Sequence, residues 1–74
     1  MNFEPICDED GLFVLGSHDG ERGYFLAFDT YQPELGWGAA WGKPGDDLTV
    51  LRGRFPTMAD AASRLEAVRN SKAH

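Results

Sequence analysis

Turn signals recur roughly every ten residues through the first two thirds of this chain, and they confine it to short segments. Asp8-Glu9-Asp10-Gly11 reads as a tight turn in which Gly11 can take positive φ. His18-Asp19-Gly20-Glu21 contains the Asp-Gly pair that hairpins favour, and Lys43-Pro44-Gly45-Asp46 sets Pro and Gly at the central positions of a type II turn. Thr30 to Glu34, with Pro33, is a looser connection. Between these lie candidate strands at 3–7, 12–16, 23–29, 35–42 and 48–55, with Pro5 confining the first to a sheet edge.

The C-terminal segment follows a different period. Met58, Ala61, Ala62, Leu65 and Val68 repeat at the spacing of one helical face, which predicts a helix over 58–70. Thr57 is a good N-cap, and its hydroxyl should contribute about 1 kcal/mol by accepting a free backbone N–H. Asp60 and Arg64 form an i, i+4 pair of the favourable sense, while Arg69 and Lys72 suit the negative end of the helix dipole. Strands first and one helix last predict a single small α+β domain over 1–74. Its expected form is an antiparallel meander of four to five strands with the helix across one face.

A domain of 74 residues with one cysteine has no internal disulfide, and no Cys/His set marks a metal, so its apolar core must stabilise it. Alternation sorts that core material onto both sheet faces. Leu35, Trp37, Ala39 and Trp41 point one way and Gly36, Gly38, Ala40 and Gly42 the other; Tyr24, Leu26 and Phe28 oppose Phe25. In the last segment Leu51 and Phe55 oppose Leu48, Val50, Arg52 and Arg54. A 14-residue helix covers roughly 200 Å² and four strands present roughly 350 Å² per face. Apolar surface is therefore left over, for sheet curvature and loops to cover or for a second subunit or partner. The tryptophans have two expected uses: core beside a small-residue helix, or an exposed platform for a base, a sugar or a proline-rich peptide.

Charge is lopsided. Residues 1–36 hold eight acids and one base, whereas residues 37–74 hold four acids and six bases. In an up-and-down meander the turn at Asp8, Glu9 and Asp10 and the connection from Asp29 to Glu34 fall at one end of the sheet, with no base among them. The opposite end mixes Asp19, Glu21, Asp46 and Asp47 with Arg22, Lys43, Arg69 and Lys72. A net charge of −5 argues against general binding to nucleic acid or anionic membrane. The longest apolar run, Leu12 to Leu15, is far too short to span a bilayer. The N-terminus shows no signal-peptide pattern, and with a lone cysteine this points to the cytoplasm.

Catalytic patterns are weak. Cys7 and His18 sit at unrelated turns, and Asp8-x-Asp10-Gly11 begins like a calcium loop but lacks its later ligands. Gly36-x-Gly38 with Gly42 is no dinucleotide fingerprint, because no helix follows it. The expectation is a non-enzymatic protein without cofactor or metal. It would present Asp8, Glu9, Asp10, Asp29 and Glu34, with Trp37 and Trp41 nearby, to a partner protein with a basic surface. Small phage-encoded inhibitors of defence nucleases act on such surfaces, an analogy of size and charge and not of motif. Two alternatives stand beside it: a homodimeric structural module joined through the sheet face, or a weak nucleic-acid binder using Arg52, Arg54 and the tryptophans.

Overall fold

The computed structural model describes residues 2–71. Strands β1 (Glu4–Glu9), β2 (Leu12–Asp19), β3 (Arg22–Asp29), β4 (Trp37–Gly42) and β5 (Thr49–Val50) form one antiparallel sheet in chain order, and helix α1 (Met58–Asn70) follows. This is the α+β meander that the turn spacing predicts.

The turns explain where the strands end. Asp10 and Gly11 both take positive φ, 51° and 82°, as a two-residue type I′ turn requires. The first strand therefore runs on to Glu9, two residues beyond its expected end. At the next hairpin Gly20 alone has positive φ, 65°, the pattern of a type II′ turn, so β2 reaches Asp19 and β3 starts at Arg22. Pro44-Gly45 closes as expected, with the Asp46 N–H donating to the Lys43 carbonyl at 3.0 Å.

Two boundaries depart from expectation. The fourth strand begins at Trp37 and not at residue 35, because Pro33–Leu35 form a 3-10 turn and Gly36 follows at φ 75°. The segment expected as a strand over 48–55 pairs regularly only at Thr49–Val50. Gly53, at φ 78°, turns the chain out of the ladder, and Phe55 returns as a single bridge to Trp37. That bridge exchanges two backbone hydrogen bonds, 2.7 and 2.9 Å long, and sets the start of α1 beside the start of β4.

One sheet face carries the core. Leu15, Leu26 and Ala39 pair across β2, β3 and β4, with Tyr24 one row away, and Ala61 and Leu65 of α1 close over them. Trp37, Trp41, Phe13, Leu51 and Phe55 pack around that centre. The Thr57 hydroxyl accepts the Asp60 N–H at 3.1 Å, so the cap forms as read. The rest of the helix pattern needs adjustment. Met58 is 44% exposed, and the residues that α1 buries are Ala61 and Leu65. Among the described residues no Asp60–Arg64 ion pair forms. Arg69 instead reaches Asp19 at the end of β2 as well as Glu66 one turn back. Lys72 lies outside the described residues.

Candidate functional site

The meander brings both acidic connections to the same end and ties them together. The Thr30 N–H donates to the Gly11 carbonyl at 2.7 Å, and the Thr30 hydroxyl donates to the same oxygen at 2.9 Å. The Tyr31 ring lies against Gly11 so closely that any Cβ there would collide with it. Asp29 sets this loop by accepting the Tyr31 N–H at 2.9 Å, an Asx turn. Sequence reading did not single out Thr30 and Tyr31 for this role, although an Asp two residues before a loop aromatic is a legible Asx-turn signal.

Strand register then distributes the carboxylates. Glu9, Leu12 and Asp29 form one cross-strand row, with adjacent strands about 4.8 Å apart, so Glu9 and Asp29 stand about 10 Å from each other on one face. Asp8 pairs with Phe13 and belongs to the opposite face, while Asp10 occupies the turn. Glu34 lies in the 3-10 turn. All five side chains belong to exposed or half-buried residues, and none of them is in an ion pair with a described residue. α1 starts at this end too, and its dipole adds a positive partial charge behind the acids.

At the far end Asp19 is bound by Arg69, whose pKa is raised above the ordinary arginine value by the Asp19 hydrogen bond and charge, then by the charge of Glu66. Arg22 lies 4.9 Å from the centre of the Trp41 ring, in cation–π contact.

Trp37 and Trp41 are not an open platform. Both face the helix and pack half-buried against the core. Trp37 stacks at a tilt on Phe28, with ring centres 4.9 Å apart, and meets Phe13 edge-on at 6.4 Å. The arginines do not join them: Arg54 reaches over Gly38 on the opposite face, and Arg52 is exposed. Cys7 pairs with Val14, four residues from His18 along β2, which separates the two side chains by about 13 Å, beyond nucleophile–base contact.

The face away from the helix is the other notable surface. Cys7, Val14, Ala27 and Gly38 form one row across it, and Gly16, Phe25, Ala40 and Val50 the next. Ile6, Leu12, Leu48 and Val50 are 58%, 44%, 54% and 70% exposed. Between them runs an open apolar trough of about 570 Å³ over Ala27, Gly38 and Ala40, with Arg54 at one edge. Among the described residues no helix is long and apolar enough to cross a membrane. Compared with known proteins, the chain matches no family model, and no curated protein or solved structure matches it.

Proposed function

We propose that this chain is a small non-enzymatic protein-binding module whose acidic end docks on a basic site of a partner protein, in the manner of an inhibitor that occupies a nucleic-acid-binding surface. The observation that carries this reading is the tie between the two acidic connections through Thr30 and Gly11. It holds carboxylates from separate loops at one end, where none of them is in an ion pair with a described base. Charges gathered within about one Debye length (about 8–10 Å) act on an approaching basic surface as a sum. The trade-off is familiar from charge-steered complexes: fast encounter, and affinity that falls as salt rises. Trp37 and Trp41 have no part in it, because the helix side of the sheet engages them.

The test compares two baits in capture from the native host. Asp8→Lys/Glu9→Lys/Asp10→Lys reverses the acidic turn, whereas Asp46→Lys/Asp47→Lys reverses acids at the mixed end. The expected result is that the first bait loses a basic partner retained by wild type and by the second, with affinity for the purified partner down at least about tenfold. Equal loss from both baits, or none from either, refutes the assignment of the acidic turn as the docking site.

A further inference from the structure

The trough on the open sheet face has a definite shape and a single charge, and together they select what it holds. Its floor is made of small residues, Ala27, Gly38 and Ala40. The Phe25 ring does not cover them, because it lies down over Gly23 and Gly16 of its own sheet. Leu48 likewise leans on Gly42, so Phe25 and Leu48 close one end, with Val14 and Val50 at the sides. At the other end the Arg54 guanidinium lies over Gly38, its Nη1 3.4 Å from where a Cβ would stand. Gly38 to Gly42 is four residues of strand, about 13 Å. The volume, about 570 Å³, falls within the usual range of about 300–1,000 Å³ for small-molecule sites.

The polar groups on offer decide the class of ligand. Trp37 and Ala39 bond away from β3, toward Phe55 and Leu51, so alternation turns the backbone groups of Gly38 and Ala40 into the ladder with β3. A peptide lying on that floor would bury amides against hydrocarbon, whereas an alkyl chain leaves nothing unpaired. Arg54 is the one charged residue of the lining, and it makes no ion pair with a described residue. Its guanidinium fork matches the two oxygens of one carboxylate, and no second base lines the trough to balance a doubly charged head. Asp29 opposes an anion from diagonally across Gly38, about 7–8 Å away, and its Oδ1 already accepts the Tyr31 N–H. A carboxylate touching Arg54 at about 4 Å gains roughly twice what that longer separation from Asp29 costs at equal screening.

We infer that the trough binds a medium-chain monocarboxylate, with the hydrocarbon chain along Gly38 and Ala40 and the head on Arg54. The site uses no residue of the acidic turn, so it stands or falls independently of the docking function above.

Octanoate titrated into the isotope-labelled whole chain to about 20 mM tests this, against an expected dissociation constant on the order of 1 mM. Amide shifts should saturate and centre on Ala27, Gly38 and Ala40. Octanol and octylammonium keep the chain and change the head, and both should bind at least about tenfold more weakly. Arg54→Gln, at an exposed position, should weaken octanoate about tenfold and leave octanol unchanged. Arg52→Gln removes the same charge outside the trough and should change neither. Gly38→Val suits a strand and places a side chain on the floor, so it should abolish binding of octanoate and octanol alike. Octanoate shifts that stay linear to the highest concentration, or that centre on α1, overturn the assignment of the site. Octanol binding as tightly as octanoate, or Arg54→Gln without effect, overturns the role of Arg54 and with it the carboxylate. Octylammonium binding more tightly than octanoate would mean that Asp29 outweighs Arg54, and overturns the proposal as well.

Discussion

The two faces of the sheet are built from the same strands, yet only one is closed. On the helix side Tyr24 and Leu26 are 1% and 0% exposed, while on the other side Val50 and Ile6 are 70% and 58% exposed. The difference lies in what stands opposite. Large side chains on the helix side meet Ala61, small enough for α1 to settle close, and Leu65, which fills the centre of the contact. The open side alternates Gly38, Ala40 and Gly42 with isolated larger groups, so it forms a floor with no ceiling. Stability of the monomer therefore resides on one face, and the other is available for association. Substitutions on the two faces should separate these roles.

The largest effect expected is on the closed side. Leu65→Ala removes a fully buried side chain from the centre of the helix contact and should cost about 2–5 kcal/mol in urea unfolding. A domain this small has a stability near the low end of the usual ~5–15 kcal/mol, so much of the population could unfold. Val50→Ala, measured at low micromolar concentration, should stay within about 0.5 kcal/mol of wild type. Comparable losses at the two positions would mean that both faces are closed in the monomer.

Next comes the seam that delivers the helix to its face. Gly36 has φ 75°, and a Cβ there would lie 2.5 Å from the Phe55 carbonyl oxygen. Gly36→Ala should therefore open the Trp37–Phe55 bridge and cost about 1–3 kcal/mol. Faster hydrogen exchange at the Trp37 N–H is the direct readout. Unchanged exchange would show that the helix is placed by its apolar face alone.

These positions also show what the sequence could and could not convey. The meander and the helix were legible because turn chemistry and the 3.6-residue period are local: Asp10-Gly11, Gly20 and Thr57 act within a few residues of themselves. The end of the sheet was less legible because long-range contacts decide it. Leu48 to Phe55 alternates like a strand, but its continuation is limited by Gly53 and by where Phe55 meets Trp37. Strand alternation separates the faces without saying which one the helix takes, so Trp37 and Trp41 kept a platform reading beside the favoured one, core, and the structure packs both against the core. The acidic end was legible in outline, since a meander puts alternate turns together. Its fastening by Thr30 and Tyr31 needs the three-dimensional approach of one turn to another.

A smaller effect belongs to the helix start. Thr57→Ala leaves the Asp60 N–H without its side-chain acceptor and should cost about 1 kcal/mol, with Thr57→Ser recovering most of it. Equal loss in both variants would point to the Thr57 methyl group and not to the cap.

The smallest effect is expected at the other end of the helix, where Arg69 reaches Asp19 and Glu66 from a position still open to solvent. Exposed pairs are screened and contribute little, so Arg69→Ala should shift the urea midpoint less than Thr57→Ala does. The Asp19 hydrogen bond and charge raise the folded-state pKa of Arg69 above its ordinary value. A raised value means the contribution is full below the unfolded pKa and fades only as pH climbs through the folded one, in strong alkali. Titration of Arg69 should therefore add no change to the gap between variant and wild type from about pH 6 to about pH 10, whereas about 1 M salt should shrink that gap. A gap that ignores salt would assign the clamp to packing of the arginine stem over the sheet end, and the helix would then be held to its face by apolar contact along its whole length.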